Sequence, residues 1–229
     1  MKNRSQTLWF CLPILLSANY SFCQNQMWIF EYVMENGKRN SKSAGEDMFY
    51  ISNDTLFRHT RDEKNLNDFT DISIIKKVKE DHFLYAPGNE FEREFPLHIV
   101  FNYTSDTTLA SWSEYEKDTA YYRLVKQTNT QFNLDEVNDF LYNGKFKVNL
   151  SLLGKSDSDV IDTVSFKKID LKSKSKNQIR SAIIHKENYY FLLSDFAKEK
   201  VLPITYLDEK SFSIRKYDSK PIEIKFIKI

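Results

Sequence analysis

Short runs of alternating apolar and polar residues, separated by polar turns, constrain this 229-residue chain more than any other feature. Between residues 28 and 125 such runs fall at 28–34, 48–51, 55–60, 70–78, 82–86, 97–103, 108–113 and 119–125. Period-two alternation places one set of side chains on a buried sheet face and the other in water. None of the connections is long enough for the crossover that parallel strands require, so the pattern predicts antiparallel, up-and-down pairing. Tyrosine, phenylalanine, isoleucine, valine and threonine are abundant and favour strands. Only five glycines are present, so turns must draw on Asn, Asp, Ser and Lys, as at Ser52-Asn53-Asp54, Thr104-Ser105-Asp106 and Asp208-Glu209-Lys210.

Residues 132–144 break the alternation. Asn133 can cap a helix whose third position is Glu136, with Phe132 before the cap stapling onto Val137. Leu134, Val137 and Leu141 then share a face, and Asn143-Gly144 supplies the stop. Strand signals resume at 145–152, 161–171, 179–185, 189–193, 201–207, 211–217 and 222–229. Residues 97–124 slide onto 202–229 without a gap, pairing Leu97 with Leu202, Ile99 with Ile204, Phe101 with Tyr206, Leu109 with Ile214, Trp112 with Tyr217 and Leu124 with Ile229. Trp28, Phe30 and Tyr32 likewise match Phe146, Val148 and Leu150. The expectation is a mainly β chain with two barrel-like halves, 24–126 and 145–229, joined by a helical linker at 127–144; one larger barrel or sandwich is the competing arrangement.

Residues 1–23 read as an export signal. Lys2 and Arg4 precede an apolar run from Leu8 to Leu16, which spans about 14 Å as a helix and falls short of a bilayer core of roughly 30 Å. Ser21 and Cys23 are small residues placed for cleavage between Cys23 and Gln24. The alternative is a lipoprotein anchored at Cys23, whose box would be Tyr20-Ser21-Phe22-Cys23. Both readings send the chain to the periplasm or beyond, and neither leaves a transmembrane span. Both cysteines, Cys11 and Cys23, lie in this segment, so the remainder has no disulfide or thiolate chemistry. The chain carries 33 basic and 32 acidic residues, which gives no electrostatic footprint for nucleic acid.

The opening strand with Trp28, the meander of hairpins, the Ser105-Asp106 turn, Leu109 and the closing Tyr122-Arg123 strand together resemble the short lipocalin-like, calycin-type domains of secreted bacterial proteins. Gln26 stands where the usual lipocalin opening has glycine. The resemblance implies a small antiparallel barrel whose interior is either packed or holds an apolar ligand. Trp28, Phe30, Tyr32, Phe101 and Trp112 are the residues that would line such a pocket or form a dry core in its place.

Familiar chemistries find little support. His59, His82, His98 and His185 lack the spacing that puts two imidazoles on one metal, and His98 alternates with Leu97 and Ile99 onto the outer face. Gly154-Lys155-Ser156 resembles the tail of a phosphate loop, but Asn149 stands where the earlier glycine is needed, so Gly154 reads as a turn residue. No nucleophile-elbow motif occurs. Glu90, Glu92 and Glu94 alternate with Phe91, Arg93 and Phe95 as a solvated face. The basic run Lys167, Lys168, Lys172, Lys174, Lys176 and Arg180 fits either attraction to anionic envelope material or a flexible loop or edge strand protected against aggregation. Four Asp-Thr-apolar triplets place Thr55, Thr107, Thr119 and Thr163 in an O-glycosylation-like context that is also ordinary hairpin chemistry.

The sequence therefore describes an exported binding or interaction protein with no implied cofactor, no catalytic constellation, and a small apolar ligand or an envelope or protein partner. A passive structural or adhesion component and an extracytoplasmic enzyme are the alternatives. Mass analysis of the protein purified from its own host is expected to find a chain beginning at Gln24; one beginning at Met1 would contradict the export reading.

Overall fold

The computed structural model describes residues 25–52, 55–59, 71–79, 82–86, 97–102, 108–113, 118–154, 159–169, 178–194, 200–217 and 221–229. Its strands are β1 (Gln26–Glu35), β2 (Lys38–Asn40), β3 (Met48–Ser52), β4 (Thr55–His59), β5 (Asp71–Lys79), β6 (His82–Ala86), β7 (Leu97–Asn102), β8 (Thr108–Ser113) and β9 (Thr119–Val125). One helix follows, α1 (Leu134–Asn143). Then come β10 (Lys145–Asn149), β11 (Ile161–Lys168), β12 (Gln178–Lys186), β13 (Tyr189–Ser194), β14 (Val201–Leu207), β15 (Ser211–Lys216) and β16 (Ile222–Lys228). The chain is thus mostly β, with two barrel-like halves on either side of a short helix.

In the first half the sheet order is β2-β1-β3-β4-β5-β6-β7-β8-β9, and β9 returns to pair with β1 from Met27↔Val125 to Met34↔Thr119. The sheet therefore curls until its last strand meets its first. β1 serves three partners because it is long: β9 along one edge, with β3 and then β2 along the other. Alternation does not reveal β2, which is short and polar. It forms because Asn36 and Gly37 both take positive φ, 49° and 76°, the backbone that suits a two-residue hairpin.

The second half is a closed barrel of seven strands, β10 through β16, with β16 pairing back on β10. Strand directions can alternate all the way round a ring only when the number of strands is even. A seven-membered ring must contain a parallel pair, and here it is β11–β12, from Ser165↔Gln178 to Lys168↔Ser181. This is the departure from wholly antiparallel pairing. It also leaves β11 and β12 hydrogen-bonded on both sides, so neither is an edge in need of protection. The lysines at 172, 174 and 176 lie outside the described residues.

Helix α1 starts as its spacing predicts. Asn133 Oδ1 accepts from the Glu136 amide (3.0 Å) and Glu136 Oε2 accepts from the Asn133 amide (2.8 Å), a reciprocal capping box. Its buried residues are Val137, Phe140 and Leu141; Leu134 is 36 % exposed, so the buried stripe lies one residue off the expected one. Phe132 packs edge-on against Phe140 (5.9 Å between ring centroids). The helix stops at Gly144, though not through a left-handed turn, since φ there is −86°. A Cβ at Gly144 would lie 2.5 Å from the Phe146 ring and 2.6 Å from the Phe140 carbonyl oxygen, so only glycine lets β10 begin there.

Three clusters make the core. Inside the first half Trp28, Phe49, Ile51, Leu56, Leu109 and Tyr122 pack together. Inside the second, Phe146, Phe166, Phe212 and Phe226 touch one another at 4.4–5.7 Å between ring centroids, and α1 closes over them with Phe140 5.3 Å from Phe146. The third cluster joins the halves: Met27, Ile29, Met48 and Tyr50 from β1 and β3 meet Ile184, Tyr189, Phe191, Leu193 and Val201 from β12, β13 and β14. Successive residues on a strand face opposite ways, so β1 gives Trp28 to its own interior and Met27 and Ile29 to the seam. Met27, Trp28 and Ile29 are accordingly all fully buried, and every residue of β13 is buried.

Backbone bonds reinforce the seam. The Val201 amide donates to the Gly45 carbonyl (2.7 Å), and Gly45, at φ +79°, leaves only 3.2 Å between a hypothetical Cβ and the Val201 carbonyl oxygen. The connector between the halves is built into the second barrel. Asn129 bridges β14 beside Tyr206, and Thr128 Oγ1 donates to the Ile204 carbonyl (2.7 Å) while accepting from the Tyr190 amide (3.0 Å). Phe191→Ala removes a fully buried ring from the seam and touches neither interior. It is expected to destabilise the whole chain by about 3–5 kcal/mol in equilibrium denaturation, whereas a loss below about 1 kcal/mol would mean that the halves do not depend on each other.

Candidate functional site

The described residues present an open groove at the mouth of the second barrel, against α1. A groove of about 460 Å³ runs between the helix and the barrel rim, lined by Phe132, Asp135, Glu136, Asp139, Phe140, Glu209 and Lys228. Its parts come from three places. Helix α1 supplies the acidic side chains of its solvent face, the β14–β15 turn supplies Glu209, and β16 supplies Lys228. That turn is held by Asp208, whose Oδ1 accepts from the amides of Lys210 (2.8 Å) and Ser211 (2.7 Å) and whose Oδ2 accepts from the Tyr206 hydroxyl (2.6 Å). These bonds lower the Asp208 carboxyl to about 2 and keep the turn anionic at any physiological pH. Lys228 Nζ lies 4.7 Å from the Phe140 ring centre, so the aromatic floor already accommodates an ammonium group.

A smaller notch of about 300 Å³ shares Phe132 and is otherwise polar, lined by Gln127, Thr128, Thr130, Asn188 and Tyr190. Its groups mostly serve one another. The Tyr190 hydroxyl donates to the Phe132 carbonyl (3.1 Å), and His185 stacks on the Tyr190 ring at 4.4 Å.

Two carboxylate clusters, one buried and one half-buried, lie elsewhere. A β-bulge between Phe30 and Tyr32 turns both Glu31 and Tyr32 outward. The Glu31 side chain is only 3 % exposed and accepts from Arg123 Nε (3.0 Å) and Nη2 (3.1 Å) and from Arg39 Nη2 (3.4 Å). Arg39 lies over Tyr32, which stacks on Tyr121. Asp47 is held similarly, accepting from Arg58 Nε and Nη2 (both 3.0 Å) and from the Tyr122 hydroxyl (3.2 Å). Fork-to-fork pairing with arginine fixes a carboxylate in place. The Glu31 cluster ties β1 to β2 and β9, and the Asp47 cluster ties the start of β3 to β4 and β9.

Of the aromatic candidates, Trp28 and Phe30 share the first interior and Tyr32 does not join them. Trp28 is buried in the first interior, and Phe30 packs edge-on against Tyr122 there. Tyr32 is on the outer face because of the bulge. Trp112 is half-buried on β8 opposite His98, and the Phe101 side chain lies outside the described residues. Of the histidines, His59 is buried on β4 and His185 stacks as above; the side chains of His82 and His98 are not among those described. Gly154 sits in a tight turn at φ +68°, its amide donating to the Ser151 carbonyl (3.0 Å). Thr55, Thr119 and Thr163 lie at or near strand starts and are half-buried. Thr107, Glu90, Glu92, Glu94, Cys23 and Gln24 lie outside the described residues.

Among the described residues no group of three or more His, Cys, Asp or Glu side chains is placed to hold a metal, and no helix is long and apolar enough to cross a membrane. No protein-family model matches the chain, and no curated protein or solved structure matches it either.

Alkaline stability follows from two tyrosines. Burial pushes the Tyr217 hydroxyl, beside the Glu31 cluster at the seam, up to about 12, and burial with Asp47 beside it raises Tyr122 as well. The folded state keeps these phenols neutral, whereas the unfolded chain ionises them near pH 10. Their contribution is intact below pH 10 and is lost as pH rises through 10–12, at about 1.4 kcal/mol per pH unit for each tyrosine. Tyr217→Phe is expected to make denaturant unfolding less steeply pH-dependent over that window; an unchanged slope would contradict its buried, neutral state.

Proposed function

We propose that this protein is an exported interaction module, without catalysis, that engages a partner at the outer groove between α1 and the second barrel. The observation that carries this reading is the contrast between inside and outside. The second barrel is filled by Phe146, Phe166, Phe212 and Phe226, while the 460 Å³ groove at its mouth stands open. That volume is in the range of ligand sites. Asp135, Glu136, Asp139 and Glu209 outnumber Lys228 there, and Phe132 and Phe140 add apolar contact. The lining therefore suits a cationic, partly apolar group, such as a basic segment of a partner protein.

Export of the chain rests on the charged start and apolar run of residues 1–23. Descent of the two halves from a duplicated lipocalin-like unit is supported by the rhyme of residues 97–124 with 202–229 and by the way each half closes its first strand on its last. A short peptide of alternating lysine and leucine should bind the protein with affinity that falls as salt rises. Asp139→Lys combined with Glu209→Lys is expected to weaken it at least about tenfold, consistent with reversing two near charges. Equal affinity for both proteins, with the fold intact, would remove the groove as the binding site.

A further inference from the structure

We propose that the outer wall of the second barrel, where β16, β10, β11 and β12 run side by side, docks on an anionic lipid surface. Strand alternation fixes which residues stand on this wall. Phe146, Val148, Val164, Phe166, Ile224 and Phe226 point inward, so Lys145, Lys147, Lys167, Lys225 and Ile227 must point outward. The register then assembles them into a compact patch. Lys147 stands opposite Ile227 on one side and Thr163 on the other. Lys145 lies opposite Ser165 and beside Ile229, whose amide donates to the Lys145 carbonyl (3.0 Å). Lys167 follows on β11, with Arg180 across the parallel register.

Three properties of the patch point to a bilayer. First, Lys145, Lys147, Lys167 and Lys225 are exposed and make no ion pair among the described residues. The acids on the same wall are elsewhere engaged or at its far end. Glu223 accepts from Thr205 Oγ1 (3.3 Å), and Asp159, which accepts from Asn149 and Ser151, sits with Asp162 beyond Lys147 at the β10–β11 turn. Second, Ile227 and Ile229 are 51 % and 59 % exposed, large aliphatic side chains interleaved with the lysines on a sheet that should show water a polar face. Third, the barrel is closed, so these charges guard no strand edge and the usual structural reason for edge lysines does not apply.

The combination separates the possible polyanions. A polysaccharide or a nucleic acid offers charge but no apolar phase, and isoleucine gains nothing from either. At a bilayer the lysines meet headgroup phosphates while the isoleucine tips enter the boundary with the acyl chains. The wall is independent of the groove proposed above, so the two can fail separately.

The test is co-sedimentation of the full chain with phosphatidylcholine vesicles, with and without phosphatidylglycerol. The wall variants keep Lys2, Arg4 and the apolar run, so comparison with the parent on the same anionic vesicles separates the wall from any contribution of the start of the chain. Binding is expected to favour the anionic vesicles and to be lost at high salt. The Lys145→Glu, Lys147→Glu double variant should lose at least about 25-fold, at roughly fivefold per lysine. Ile227→Ser should weaken binding without changing its salt dependence, and the surface control Lys38→Glu in β2 should bind as the parent does. No preference for anionic vesicles, an undiminished preference in the double variant with its fold verified by circular dichroism, or binding to a sulfated polysaccharide in place of vesicles would each overturn the proposal.

Discussion

The seam between the halves is the constraint on which the remaining structure depends. Curled sheets ordinarily hide one face and wet the other, but β1, β3, β13 and β14 are buried on both because each half uses the other's wall as its outer solvent. Met27, Ile29, Met48 and Tyr50 would otherwise stand as an exposed apolar stripe, and so would Ile184, Phe191 and Leu193. Such stripes on an isolated sheet invite aggregation. Each half therefore solves the other's solubility problem, and Gly45 with the connector at Thr128 and Asn129 locks the arrangement with backbone hydrogen bonds. The Glu31, Arg123 and Arg39 cluster closes one end of the seam, with Tyr217 beside it.

From that seam follows the division of labour across the surface. One wall of each half is consumed in joining them, and the interior of the second is occupied by Phe146, Phe166, Phe212 and Phe226. Among the described residues two surfaces remain open: the mouth of the second barrel, where α1 both plugs the core with Val137, Phe140 and Leu141 and turns its carboxylates outward, and the lysine-bearing wall at β16, β10 and β11. The two surfaces carry opposite charge. On the reading proposed above, the protein holds its position by one and recruits by the other.

Much of this was legible in the residues, and the remainder was hidden for identifiable reasons. Alternation places β6, β8, β9 and β14 at their observed bounds, and the Asn133 and Glu136 spacing locates the helix start. The continuous apolar runs Met27–Phe30, Met48–Ile51 and Tyr189–Leu193 carried a further signal, since an unbroken run marks a strand buried on both faces, as at this seam. Asn36-Gly37 was likewise a hairpin signal, and β2 follows from it. The parallel β11–β12 pair could not be read locally, because it is forced by the closure of a ring with an odd number of strands. The bulge that turns Tyr32 away from Trp28 and Phe30 leaves no mark in composition. The groove joins Phe132 to Glu209 and Lys228, residues far apart in sequence and linked by no motif, and only the barrel brings them together.

The central claim is that the halves form one cooperative body, and the distribution of tryptophan makes it testable without labels. Trp28 and Trp112 lie in the first half and Trp9 in the segment read as an export signal, so in the chain beginning at Gln24 tryptophan fluorescence reports on the first half alone, while hydrogen exchange at the amides of β12, β13 and β14 reports on the second. Urea unfolding followed by both should give a single transition with one midpoint. Two separate midpoints, with the strands of the second half protected after tryptophan fluorescence has reached its unfolded value, would show that the seam does not hold the structure together.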